Sequence, residues 1–394
     1  MTDNMITNRR GRFALVAAVA VPLAAGMCTT ARADSGSWTQ QSVPGSDTNI
    51  LAVTSVSPST QWAVGFDVSD AGEGVSFSPL VLSHSAGSGT WNAVATPALG
   101  GSSRANAISA AGPDDVWVTG DSVGASDAKA VVTEHWNGSA WTVIDVPLPS
   151  GEADYGELLG VATLGPADAW AVGNDQSDDQ NINALIEHWN GVSWQAAALP
   201  ASIADGVALS AVTAVGPHDL YAAGVDYATN APVLLHGDGR TWRQVALPGA
   251  GISGAYGEYG EANALVPDGT GGVYVVGTAY LTNTDPGHAL IEHWDGRKWQ
   301  TNLPEPSGYA TLLGATLTPQ GLAVVGYDPS VTVFVQYGEV LEDGAWHSLN
   351  LPNVDGGAMY TAALSTRDGL FAVGAYMAQG DRSDSFPLVE QNQR

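Results

Sequence analysis

Two short clusters combine acids with tyrosines. Glu152, Asp154, Tyr155 and Glu157 form one, and Tyr256, Glu258, Tyr259 and Glu261 form the other. An aromatic ring beside a carboxylate suits sugar recognition: the ring stacks on the apolar face of a pyranose while the acid accepts hydroxyl hydrogen bonds. Paired carboxylates also serve glycoside hydrolysis when their separation is right. Tyr155, Glu157, Tyr256, Glu258 and Tyr259 are therefore the candidate ligand-binding residues.

A second pattern is a series of aspartates. Asp67, Asp175, Asp226 and Asp328 each stand two residues after a glycine that ends an apolar run. A partial ring of carboxylates would bind a cation, and calcium is the one cofactor the pattern offers. Aspartates at such positions also cap loop amides. Asp179-Gln-Asn-Ile-Asn183 matches only the first half of an EF-hand loop. For proton transfer the candidates are His288, which follows Asp285-Pro-Gly287, together with Tyr280, and Arg104 as a cation for an acidic substrate. Five other histidines, His84, His135, His188, His236 and His293, share one repeat slot at the end of a third strand, which marks them as structural. No Gly-x-Ser-x-Gly elbow, His-Glu-x-x-His or phosphate loop occurs.

These residues must be positioned by a repeat. Tryptophans recur at Trp38, Trp91, Trp141, Trp194, Trp242, Trp299 and Trp346, with gaps of 53, 50, 53, 48, 57 and 47. Glycines recur in the same phase at Gly65, Gly120, Gly173, Gly224, Gly277, Gly326 and Gly374. In the unit Leu159 to Pro200, Leu159–Leu164, Ala169–Gly173, Ala184–Trp189 and Ser193–Ala197 read as four strands, and Asn190-Gly191 is a hairpin turn. Four strands per repeat, seven times, predict an all-β seven-bladed propeller spanning 34–394. The last repeat lacks a fourth strand, and Ser37–Gln40 is an orphan fourth strand at the other end. Together they close the ring and remove an open sheet edge. The long connections, 66–79, 149–157, 174–183, 249–261, 278–288 and 375–387, all fall between second and third strands or between blades. They gather on one face, where a site is expected.

Trp170-Ala-Val-Gly173, Ile186-Glu-His-Trp-Asn-Gly191, Trp194 and Pro200 resemble the repeat of secreted actinobacterial-type β-propellers and are similar in phase to kelch repeats. The kelch glycine pair is here only Val-Gly. The resemblance implies the propeller fold and leaves the activity open, since propellers host binders, lyases and hydrolases alike.

Composition narrows the partners. The chain has 13 Lys+Arg against 40 Asp+Glu, a net charge of −27. That balance repels nucleic acid and anionic lipid. Arg9, Arg10 and Arg12, the apolar run 13–27 and Ala31-Arg-Ala33 read as a secretory signal peptide over 1–33. The lone Cys28 lies inside it, so the remaining chain must be stable without disulfides. The sequence thus predicts a secreted, extracellular, monomeric propeller. It binds a small extracellular ligand, a glycan or else a peptide-like molecule, on its loop-rich face. An extracellular lyase or hydrolase with its site in the same depression, acting on a polysaccharide, secreted peptide or natural product, is the alternative.

Overall fold

The computed structural model describes residues 37–70, 75–97, 99, 101–123, 129–149, 155–178, 181–248, 259–282, 285–300, 303–331, 334–354, 357–377 and 385–393. Residues 1–33, together with Tyr256, Glu258 and Asp179, lie outside these residues. The described chain forms seven sheets, each of four antiparallel strands. A single helical turn, Ala201–Ala204, is the one helix among the described residues.

The innermost strands are Thr48–Ser57, Ser102–Gly112, Tyr155–Gly165, Val207–Gly216, Tyr259–Pro267, Thr311–Leu317 and Ala358–Thr366, which open blades 1 to 7. Each touches the next in chain order, and the seventh touches the first, so the ring is closed. Closure runs through the expected strand. Trp38–Gln40 pairs antiparallel with Ser385–Gln393, the third strand of blade 7.

Packing follows the pleat. Successive side chains point to opposite faces of a blade, so each sheet offers one apolar face to each neighbour. The outer-strand tryptophans fill several of the seams between blades. Trp194 of blade 3 lies edge-on to Trp117 of blade 2 at 4.9 Å and donates its indole N–H to Thr133 at 3.2 Å. Trp242 of blade 4 meets Trp170 of blade 3 at 5.7 Å. Trp91 of blade 1 meets Phe371 of blade 7 at 5.9 Å.

The recurring glycines have a specific cause. All seven blades share a bulge of the innermost strand at an equivalent position, between Ile50 and Ala52 in blade 1 and between Leu158 and Gly160 in blade 3, for example. The recurring glycine pairs with the residue just before that bulge. A Cβ there would sit 1.8–2.0 Å from a main-chain carbonyl of the innermost strand, that of Asn49, Arg104, Glu157, Ala208, Glu261, Thr311 or Met359. Only glycine admits that approach.

Two expectations need correction. The segments read as loops at 66–79 and 174–183 are mostly strand: Thr60–Asp70 pairs with Val75–Ser85, and Asp168–Asp178 with Asn181–Trp189. Beyond the ring, both faces of these hairpins have less to bury, so polar residues read as loop while the ladder continues. His84 does not share the slot of the other four histidines. His135, His188, His236 and His293 pair across from Trp117, Trp170, Tyr221 and Tyr274, but His84 pairs with Gln61, one position further along. Its ring is buried between Gln61, Trp91 and Phe371. The other four each bond an aspartate at 2.6–3.0 Å, the first residue of the second strand in blades 2 to 4 and Asp268 of the preceding turn in blade 5. Their structural use stands.

Candidate functional site

The start of each innermost strand and the end of each second strand lie at one mouth of the ring, because the two strands are antiparallel. The bulge brings one register position of every innermost strand to the same level there. Its occupants are Asn49, Arg104, Glu157, Ala208, Glu261, Thr311 and Met359, each paired with the residue that follows the recurring glycine. Three of the seven are charged, and they organise the mouth.

Arg104 is held firmly. Its Nε and Nη2 donate to both oxygens of the paired Asp121 at 2.9–3.3 Å, and Nη2 lies 3.6 Å from Glu157 of the next blade. The Asp121 side chain is 1% exposed. Asn106 donates to the same carboxylate at 3.0 Å and to the carbonyl of Leu158 at 3.1 Å, tying blade 2 to blade 3. Glu157 also accepts from its own pair partner Asn174 at 3.0 Å. This is a charge-assisted network spanning two blades.

The second half of the mouth is aromatic. Tyr259 donates its hydroxyl to Glu261 at 2.7 Å, and its ring lies 5.7 Å from that of Tyr280. Asn263 repeats the role of Asn106, donating to Glu261 at 3.4 Å and to the Leu312 carbonyl of the next blade at 2.9 Å. Tyr227, on the hairpin of blade 4, is 43% exposed. Burial first, then the charges of Glu261 and Glu157, raise its phenol pKa, so both glutamates lie within its electrostatic reach. Burial, and then the neighbouring Glu261, raises that of Tyr259 as well. Both phenols are therefore neutral hydrogen-bond donors at physiological pH.

The sequence candidates divide accordingly. Glu157, Tyr259, Tyr280 and Arg104 come together at this mouth. Of Tyr155 only the backbone is described, opposite Gln176 at the same mouth. Tyr256 and Glu258 lie outside the described residues. His288 stands at the seam of blades 5 and 6, 3.2 Å from Asp285 with its ring 5.2 Å from that of Tyr309. The four aspartates are bonded within their own blades. Asp67 accepts from Thr48. Asp175 accepts from Asn183 at 3.2 Å, and burial raises its pKa against that bond. Asp226 accepts from Ala228 N and Thr229, and Asp328 from Ser330 N. Among the described residues no three His, Cys, Asp or Glu side chains gather as a metal would require.

Sequence reasoning passed over Asp121, Asn174 and Tyr227. The first two carry a signal: each immediately follows a recurring glycine. Arg104, Glu157 and Glu261 stand sixteen residues before theirs. Tyr227 carries none.

Comparison with models of known families gives no match, and none is found among curated proteins. Solved structures do share the architecture. The chain is similar to YCF48 bound to D1 peptide, with a TM-score of 0.52 and 14% identity over 92% of this chain and 96% of the other. It is similar to YCF48 from Cyanidioschyzon merolae, with a TM-score of 0.50 and 15% identity over 90% and 98%. It is also similar to the Trypanosoma rangeli sialidase in complex with 2,3-difluorosialic acid, with a TM-score of 0.51 and 11% identity over 89% of this chain and 55% of that one. At these identities the likeness concerns the fold.

Proposed function

We propose that the protein is a ligand-binding propeller whose mouth takes a neutral, hydroxyl-rich molecule, a glycan, between blades 3 and 5. One observation carries the reading: Glu157 and Glu261 hold the same register position two blades apart, Tyr259 is bonded to Glu261 and packed on Tyr280, and Tyr227 lies within electrostatic reach of both glutamates. Acceptors at one level with partly exposed rings beside them form a stacking and hydrogen-bonding surface. Arg104 is already engaged by Asp121 and Glu157. Displacing its buried carboxylate partner for a ligand carboxylate would be costly, so an uncharged sugar fits better than a uronic or sialic acid. Export through the segment 1–33 would place this mouth outside the cell, where glycans are abundant.

The Tyr259–Glu261 hydrogen bond favours a second reading, hydrolysis at the same mouth. A phenol within reach of a carboxylate is a proton-transfer pair, and the similarity to a sialidase is in keeping with this reading. The peptide in the YCF48 complex makes a peptide ligand the third arm of the test.

The experiment is a glycan-array screen of the full chain followed by calorimetry on the hits, with Tyr227→Ala and Glu261→Gln beside wild type. Binding of neutral glycans that both substitutions weaken is the expected result. Equal binding by all three proteins removes the mouth from the reading, turnover of the hit moves it to the hydrolase, and binding confined to peptides overturns the glycan.

A further inference from the structure

Buried glutamates occupy one register position on the third strands. Glu134, Glu187, Glu292, Glu339 and Glu390 each pair across from the second residue before the recurring glycine of their own blade. All five are buried, Glu187 and Glu292 completely. Blades 1 and 4 hold Leu82 and Leu235 at the same position, both 0% exposed. Packing alone is thus satisfied by leucine at this slot, and a carboxyl there needs another reason.

The five are not equivalent. Glu339 is bonded by Ser307, and Glu390 by Tyr360. Glu134 and Glu187 have both carboxyl oxygens buried with no hydrogen-bond partner. Glu134 shares its face with Val118 and Val143 and looks across the seam to Trp62, Val64, Val81 and Ser83 of blade 1. Asp145 lies beyond the end of Trp141–Ile144, and Arg104 of blade 2, over the Phe77 ring of blade 1, is paired with Asp121. Glu187 shares its face with Ala171 and Ala196 and looks toward Trp117, Thr119 and Thr133 of blade 2. The charged groups facing it from blade 2 are Asp115 with His135 and Asp121 with Arg104, each paired within blade 2. Asp175 of its own blade accepts from Asn183 at the mouth.

An ionised carboxylate with no donor and no cation is costly in such a seam, whereas the protonated acid is tolerated. We propose that Glu134 and Glu187 make ring closure acid-favoured: the seams between blades 1 and 2 and between blades 2 and 3 are held tightest while both carboxyls keep their proton, and loosen when they ionise. Burial pushes the Glu134 carboxyl up to about 7 and that of Glu187 to about 8, from 4.5. The folded chain therefore holds two protons that the unfolded chain releases. Stability falls as pH rises from the ordinary carboxyl range through the folded values, and levels off above them.

The test is the melting temperature of the full chain between about pH 5 and about pH 9, for wild type, Glu134→Gln/Glu187→Gln and Glu134→Leu/Glu187→Leu. The leucine pair copies blades 1 and 4 and keeps the test alive if the glutamines prevent folding. Wild type should lose melting temperature across this range, and either double variant should lose less than about half as much. An unchanged slope in a folded double variant overturns the proposal. On the unmodified chain, the infrared carbonyl stretch of a buried protonated carboxylic acid should be present at about pH 6, where exposed carboxylates are ionised, and gone by about pH 9. Its absence at the lower pH overturns the proposal independently.

Discussion

Trp38 donates its indole N–H to the main-chain carbonyl of Leu349, 2.8 Å away and 311 residues later in the chain. The first described strand thereby completes blade 7 and is also pinned to the outer end of blade 6. The ring is closed without a covalent link where Trp38–Gln40 pairs with Ser385–Gln393, and this bond anchors that strand to blade 6, so its strength bears on closure of the whole ring.

Removing residues 34–43 should lower the melting temperature sharply, because it opens a full strand edge on Ser385–Gln393 as well as removing Trp38. Trp38→Phe isolates the bond and should cost about 1 kcal/mol, with loss of packing adding to it. Differential scanning calorimetry reads both. A deletion variant that melts with wild type would show that blade 7 is closed by other means.

Arg104 is the electrostatic counterpart of Asp121 at the mouth. Arg104→Ala leaves that buried carboxylate with Asn106 as its remaining side-chain donor, and should destabilise the chain by about 3–5 kcal/mol in urea titration. The double variant Arg104→Ala/Asp121→Ala should recover much of that loss, since no buried charge is then left behind. Equal losses in the two proteins would argue against the pair.

The recurring glycines should tolerate nothing larger. In Gly173→Ala the new Cβ would lie 1.9 Å from the Glu157 carbonyl, so the bulge or the strand must shift. A loss of about 4 kcal/mol or more is expected, with glycan binding impaired in any folded fraction because Glu157 moves with its backbone. Gly165, with nothing within 4 Å, is the control and should accept alanine within about 0.5 kcal/mol.

Tyr259→Phe removes one hydroxyl and keeps the ring. Loss of the bond to Glu261 should weaken binding at the mouth by about 1 kcal/mol, roughly fivefold, while the melting temperature changes little. If the mouth hydrolyses its ligand, the same substitution should instead abolish turnover with affinity retained.

The repeat was plain in the primary structure because its signals are local. Trp194, Asn190-Gly191 and Gly173 recur at near-constant spacing, because every blade repeats the same turn, the same bulge and the same seam with its neighbour. The orphan strand around Trp38 was legible for the same reason: the count of fourth strands was one short at the other end. Four of the site residues, Arg104, Glu157, Tyr259 and Tyr280, were in view from their types and neighbours. Their assembly was not. Arg104 and Glu157, like Glu157 and Glu261, lie a repeat or more apart, and nothing local sets how far a side chain rises toward the mouth. That height is fixed by the bulge register, which depends on pairing between strands, and a shift of one residue reverses which face a side chain takes. The displaced His84 and the hidden slot of Glu134 and Glu187 follow the same logic, since both are defined by which residue lies opposite, a relation that exists only once the sheets have formed.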